Sequence, residues 1–329
     1  MTVLVTGASG HIGAHVVRHL LAQGRRVRAF VRPTSNLKGL EGLDVELARG
    51  DVLDRASLEA ALQGCTAVYH LAAVVAEWSH EPAIILKTAI EGTANLLQAV
   101  ADRSGIERIV YTSSVAAVGM THSRQQPRNE SHYNTEDLTH YSVAKTRAER
   151  LAQELADRYG LPLVIVNPAV VLGPLDYRPT PATQVVVRYL KYHLPFYVDA
   201  GANLVHVDDV ARGHLLAEAH GKPGERYILG GENLTVLEMF SLLAQLVDRR
   251  PPRLELGRRT LGALGWAAEM IARLRGKPPL VTHARTRSLV GRYGFYDTSK
   301  AQRELGYTSR PVRQTLADAV QWVRQQGWA

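Results

Sequence analysis

Residues 3–17, "VLVTGASGHIGAHVV", constrain this chain more than any other stretch. Apolar and β-branched residues run into three glycines, Gly7, Gly10 and Gly13, and the apolar-periodic segment Ile12 to Leu21 continues to a stop at Gly24. This is the pattern of a buried strand turning into a helix. A turn without Cβ atoms lets a pyrophosphate approach the backbone, and the helix N-terminus adds free N–H groups and a positive dipole end. Dinucleotide binding is the expectation, provided that the segment opens a series of parallel βαβ units.

The chain that follows meets that condition. Strands are expected at Thr2 to Thr6, Val27 to Val31, Val45 to Leu47, Ala67 to Leu71, Arg108 to Ser113 and Leu163 to Asn167. They alternate with helices at Leu58 to Leu62, at Ala83 to Val100, and from "YSVAK" to Tyr159, where Gly160 stops the last. Such alternation specifies an α/β fold, a doubly wound parallel sheet of Rossmann type with helices on both faces. Beyond Pro168 the regularity decays among Pro174, Pro179, Pro181 and Pro195. Helices at Thr183 to Tyr192, Val210 to Ala219, Val236 to Val247 and Val312 to Gln325, with strands at Leu204 to Val207 and Tyr227 to Leu229, read as a smaller irregular α/β cap. The expected division is a cofactor-binding core over 1–168, then mainly a substrate-binding cap over 169–329, with some segments returning to the core.

Composition removes several other classes. With 329 residues, 46% hydrophobic and 21% charged, the chain can bury a sizeable globular core. A formal net charge of +8 would suit nucleic acid, an anionic surface or a polyanionic ligand. The basic residues are scattered, however. The densest groups, Arg25, Arg26, Arg28 and Arg32, and later Arg258, Arg259, Arg273, Arg275 and Lys277, lack interleaved aromatics, so no nucleic-acid partner is expected. Cys65 is the only cysteine, which excludes an intrachain disulfide; a small buried thiol is its expected state. No leader and no apolar run of roughly 18 residues is seen, so we expect no integral membrane segment and a cytoplasmic protein.

Cofactor choice should be decided at the end of the second strand, where an acidic residue would hold the ribose 2′-hydroxyl of NAD. Here the sequence is "VRAFVRPTSN". No Asp or Glu occurs, and Arg32, with Ser35 and Lys38, can meet a 2′-phosphate, which favours NADP over NAD. The alternative is a merely solvated Arg32. Asp51, in "RGDVLD", is placed to accept a hydrogen bond from adenine. In "HYSVAK", Tyr141 and Lys145 stand four residues apart and therefore share a helix face. A phenol with pKa of about 10 is a poor acid or base near neutrality, and a neighbouring ammonium favours its phenolate.

With "TGASGHIG", "GDVLD", "HLAA", "YTSS" and "YSVAK" in that order, the chain closely resembles the extended short-chain dehydrogenases/reductases, the NAD-dependent epimerase/dehydratase family. "RPTSN", "EGTANLL", "NLVHVDDVA" and "ERYILGGENLT" are similar to its dihydroflavonol 4-reductase-like branch, which includes bacterial hopanoid-associated sugar epimerase-like proteins. The resemblance implies that Tyr141 exchanges a proton with the substrate oxygen, that Lys145 also binds the nicotinamide ribose, and that Ser114 rather than Ser113 orients the oxygen. It further implies cofactor contacts from Gly7, Ser9, Gly10, His11, Ile12, Gly13, Asp51, Val52, Leu71, Ala72, Ala73, Thr112, Pro168 and Val170. A homodimer built on the two long helices is implied in the same way. The chain departs from the pattern at Ala89, in "TAIEGT", where relatives commonly carry an Asn that helps organise a water-linked proton path to the lysine.

Two activities use such a scaffold. A reductase moves hydride between cofactor and substrate once; a nucleotide-sugar epimerase or dehydratase removes and returns it on a tightly held NAD. Sugar-nucleotide enzymes of the family place an Arg four residues before the His of "HVDD"; that position is Ala202 here, before His206. A diphosphate buried without its cation is costly, so an NADP-dependent reductase of a small carbonyl/alcohol substrate is favoured, although Arg287 or Arg292 could supply a cation. Trp78, Tyr177 and Tyr197 are candidate pocket walls or simple cap packing. A cofactor-binding protein without catalysis is the third reading, supported only by Ala89. His11, His15 and His19 lie four apart on the first helix, but without a carboxylate at matching spacing they read as surface or loop residues, and no metal is expected. "TLGALGWAAEMIARLRG" reads as a cap helix ahead of a membrane-surface segment.

Overall fold

In the computed structural model, which describes residues 1–74, 82–136, 139–192, 195–263, 270 and 290–329, β1 (Thr2–Thr6) lies inside a seven-stranded sheet. Its companions are β2 (Arg26–Val31), β3 (Glu46–Arg49), β4 (Cys65–His70), β5 (Arg108–Thr112), β6 (Leu163–Pro168) and β10 (Arg226–Leu229). The order is β10-β6-β5-β4-β1-β2-β3, and every pairing is parallel. Interior strands carry unbroken apolar runs because both faces are covered; all six residues of β6 are buried. One face packs on α1 (His11–Ala22), α6 (Val207–His220) and α8 (Ser299–Leu305) through residues such as Val16, Leu20, Val210 and Leu305. The other packs on α2 (Arg55–Ala61), α3 (Pro82–Ala101) and α4 (His140–Tyr159) through Leu58, Leu96, Leu97, Ala152 and Leu155.

Two elements expected in the cap belong instead to this core. The strand expected at Tyr227 to Leu229 is β10, wholly buried and paired with β6 at the sheet edge, and the helix expected at Val210 to Ala219 is α6, packed along α1. A strand apolar on both sides needs cover on both sides, and the core sheet provides it. The cap has its own core. β7 (Val170–Leu172), β11 (Glu232–Thr235) and β13 (Arg292–Gly294) flank the central β9 (Ala200–His206). Against that sheet, α5 (Pro181–Lys191), α7 (Val236–Leu246) and α9 (Val312–Gln325) bury Val186, Phe240, Leu243, Leu316 and Val320. The Tyr189 and Phe240 rings stack at 5.1 Å. A two-stranded ribbon of β8 (Phe196–Tyr197) and β12 (Leu254–Glu255) lies apart from it.

The three histidines of α1 are not surface or loop residues. The His11 and His15 Nε2 atoms lie 3.0 and 3.2 Å from the same Pro174 carbonyl, His15 is buried, and His19 Nε2 meets the Asp208 carboxylate of α6 at 2.7 Å. The polar side of α1 faces Pro174 at the start of the cap and α6 of the core. Among the described residues no group of three His, Cys, Asp or Glu is arranged to hold a metal, and no helix is long and apolar enough to cross a membrane. Cys65 is buried at the start of β4. Trp78, Arg273, Arg275, Lys277, Arg287 and most of "TLGALGWAAEMIARLRG" lie outside the described residues.

Candidate active site

The sheet order reverses between β1 and β4, and the crevice at their C-terminal ends is where an open α/β sheet takes a nucleotide. There the glycines are required by contact as much as by conformation. Gly7 has φ +68°, and a Cβ on it would stand 2.8 Å from the Ala72 nitrogen. A Cβ on Gly13 would stand 2.2 Å from the Gly7 carbonyl oxygen, so Gly13 is what lets α1 sit against the turn. Gly10 is the N-cap of α1 and has no side chain to cap it, which leaves first-turn N–H groups at His11, Ile12 and Gly13 for an anion. Thr6 ties the two strand ends together, its Oγ1 accepting from the Leu71 and Ala72 N–H groups at 3.2 Å and meeting His70 Nδ1 at 2.8 Å. A cradle that a Cβ would fill, beside an uncapped helix start, fits a dinucleotide pyrophosphate.

The residues expected on the adenosine side lie past β2 and β3. Arg32 and Lys38 are exposed, Ser35 is half-buried, and the Ser35 N–H donates to the Arg32 carbonyl at 3.0 Å in a turn just past β2. Arg32 has no ion-pair partner among the described residues. Asp51 Oδ1 accepts from the Leu53 N–H at 3.0 Å, which fixes the carboxylate in its loop. Val52 is buried under Gly92 of α3. Leu71, Ala72 and Ala73 follow β4, Thr112 ends β5, Pro168 ends β6 and Val170 begins β7. These positions sit at or just beyond strand C-termini, apart from Val170, which pairs with Leu204 of the cap sheet.

Ser114, Tyr141 and Lys145 are brought together by β5 and α4. Ser114 is the N-cap of a short 3-10 turn, its Oγ accepting from the Ala116 N–H at 3.1 Å, and its hydroxyl lies near enough to the Tyr141 phenol to favour that group's ionisation. Thr139 caps α4 with Ser142 in a reciprocal capping box, fixing the first turn that carries Tyr141, and Gly160 ends the helix in the left-handed conformation. Burial raises the Tyr141 phenol above its ordinary value, and the neighbouring Ser114 hydroxyl draws it back. Lys145 is 6% exposed; its Nζ donates to the Thr112 carbonyl at 2.9 Å, so its hydrogen bond runs to the strand rather than to the Tyr141 phenol. Burial brings its ammonium down to about 8 against the opposing pull of Glu149. His70, buried near Lys145, is held at about 3 and is neutral.

Sequence reasoning missed what lies under this cluster. Glu149, Asn167 and Arg226 form a buried polar group with Ser113 at its edge. Glu149 follows Lys145 by four residues, and that spacing was the available signal. Ala89 sits on α3, where its carbonyl accepts from Thr93 Oγ1 at 2.6 Å, and Thr93 Oγ1 lies 3.2 Å from the Tyr111 hydroxyl. Of the candidate pocket walls, Tyr177 packs edge-on against Trp322 at 5.1 Å and Tyr197 donates to Glu255 at 3.4 Å, so both are engaged within the cap. Ala202 pairs with Leu234 and Gly294 in the cap sheet, and Arg292 is ion-paired with Glu136.

Comparison with known proteins gives the family and matches the fold. The NAD dependent epimerase/dehydratase family matches residues 3–230. A Synechocystis protein provisionally named dihydroflavonol 4-reductase is 37% identical over 98% of this chain and 95% of its own. Sterol demethylase protein B of Methylococcus capsulatus is 36% identical over 99% of each. Among solved structures, gox2253 superposes with a TM-score of 0.87 at 40% identity over 99% of both chains. PA4631, a nucleoside-diphosphate-sugar epimerase from Pseudomonas aeruginosa, does so at 0.79 and 28% identity over 100% of this chain and 99% of its own.

Proposed function

The chain belongs to the NAD dependent epimerase/dehydratase family, and from that premise we propose that it is an NADP-dependent reductase or dehydrogenase of a small carbonyl/alcohol pair. When bound, the nicotinamide gives or takes the hydride. The chain binds it and handles the proton. The uncapped start of α1 holds the pyrophosphate, and Arg32, with Ser35 and Lys38, holds the 2′-phosphate. Ser114 orients the substrate oxygen, Tyr141 passes its Oη proton to that oxygen or receives one from it, and Lys145 binds the nicotinamide ribose and supplies positive charge below the phenol. Residues 1–168 serve the cofactor, and 169–329 chiefly the substrate, with α6 and β10 completing the core. The same reading makes the protein a cytoplasmic homodimer joined through α3 and α4.

One observation carries the choice of reductase over nucleotide-sugar enzyme. Ala202 puts a methyl group where the family's diphosphate-binding Arg stands, and the nearby Arg292 is already committed to Glu136. A diphosphate there would lack compensation, whereas a weakly charged or apolar substrate would not need it. The names of the Synechocystis and Methylococcus relatives, a reductase and a sterol demethylase protein, support the same direction. The second reading, an epimerase or dehydratase on bound NAD, has the likeness to PA4631 in its favour. Calorimetry with NADPH and NADH, each with and without UDP-glucose and UDP-galactose, separates them. Tight NADPH binding with no heat from either sugar nucleotide supports the reductase; NAD(H) preference with sugar-nucleotide binding replaces it.

A further inference from the structure

α4 carries Tyr141, Lys145 and Glu149 at four-residue intervals, so all three lie along one face of the helix. The proposed chemistry uses the first two. Glu149 is the deepest, with 0% exposure, and it is not alone. Its Oε2 accepts from Asn167 Nδ2 of β6 at 2.6 Å, and its Oε1 lies 2.7 Å from Arg226 Nε of β10. Asn167 Nδ2 also donates to the Ser114 carbonyl at 3.1 Å. A carboxylate fully removed from water persists only where donors and cations compensate it, and here they come from two strands, β6 and β10.

The surroundings make the charges interdependent. Facing Glu149 are Arg226, Ser113, Asn167 and Lys145, each stabilising its charged form against burial, with the Tyr111 and Tyr133 phenols at longer range. Facing Lys145 are the Thr112 carbonyl and the neutral His70, and Glu149 is the anion that opposes its desolvation. Arg226 extends the group to the segment between Ser114 and Tyr141. Its Nη1 donates to the Glu130 and His132 carbonyls at 2.7 and 3.0 Å, and its guanidinium lies 4.0 Å from the centre of the Tyr133 ring.

We propose that Glu149 is a positioning residue for this site: it keeps Lys145, one turn along the helix from Tyr141 and one turn before Glu149, in the ammonium form and, through Asn167, fixes the backbone at Ser114. The proposal rests on the reading that Tyr141 and Lys145 carry the proton step. The test is an NMR titration of lysine side chains labelled at Cε and Nζ, with Lys145 assigned by its loss in Lys145→Arg. In the unaltered protein a midpoint of about 8 is the expected result. In Glu149→Gln, and in Glu149→Gln/Arg226→Met, which removes the carboxylate and its guanidinium together, the midpoint falls by about one unit or more. The alkaline limb of kcat/KM moves down with it while KM for the substrate is unchanged.

A midpoint that stays within about 0.3 unit in either folded variant overturns the proposal, as does an equal loss of activity at every pH. A Lys145 midpoint below about 7 in the unaltered protein overturns it without any variant. The NMR readout needs no substrate, so the two readings fail separately. Full activity in Tyr141→Phe would remove the reductase mechanism and leave the Glu149 measurement intact.

Discussion

Gly13→Ala should disable cofactor binding through a single methyl group. The added Cβ would stand 2.2 Å from the Gly7 carbonyl oxygen and 3.0 Å from the Ala8 Cα. Because both neighbours are backbone, no side-chain rotation relieves the clash, and the turn must open by roughly 1.2 Å to reach an ordinary contact. The Gly7 carbonyl also accepts from the Gly10 N–H at 2.9 Å, a bond that the displacement weakens. Overpacking of about 1–3 kcal/mol plus part of a hydrogen bond of about 1 kcal/mol gives a destabilisation of about 2–4 kcal/mol. The start of α1 moves with the turn, so the affinity for NADPH should fall at least about tenfold. Gly24→Ala is the control, because Gly24 has φ +70° but nothing within 4 Å of its Cβ; it should lose only about 1–2 kcal/mol and keep its affinity. Urea unfolding and calorimetric titration measure both quantities. Gly13→Ala within about 0.5 kcal/mol of the parent, with unchanged affinity, would refute the packing argument.

Arg32→Ala should weaken NADPH binding by about tenfold to a hundredfold, the loss of a charge-assisted contact, and leave NADH within about twofold; an equal effect on both would remove Arg32 from cofactor choice. Lys145 predicts a stability slope. Its folded value of about 8 is below the ordinary 10.5, so between the two the unfolded chain holds the proton more tightly. The cost of the buried ammonium is therefore full below about pH 8 and fades as pH rises toward 10.5. Relative to Lys145→Met, the parent should gain up to about 1.4 kcal/mol per pH unit across that window in urea unfolding; parallel curves would contradict the assignment.

The core of the fold was readable because its signals are local. Glycines bracket α1, apolar runs mark β1, β4 and β6, and the terminal helix falls at Val312–Gln325 as the periodicity indicates. Burial, however, does not say which sheet a strand joins, and β10 was placed in the cap although it completes the core. The short strands β7, β8, β11, β12 and β13 have too few residues to show an alternation. Ser114, Tyr141 and Lys145 were legible through order and spacing, and the structure sets Ser114 beside Tyr141 and ties Lys145 to the end of β5. Glu149 was not, because a charged residue on a helix ordinarily faces water; only the covering by β6 and β10 makes it internal. The histidines of α1 were misjudged for the same reason, since Asp208 lies 189 residues beyond His19 in the chain.

The central claim is that Tyr141, beside Ser114 and one helical turn before the buried Lys145, transfers the proton in a carbonyl reduction. The direct measurement is NADPH consumption by the purified protein against a panel of aldehydes and ketones, run beside Tyr141→Phe. The account predicts turnover by the parent and a loss of at least about a hundredfold in kcat for the variant, with NADPH affinity retained. Turnover that survives in Tyr141→Phe would contradict it.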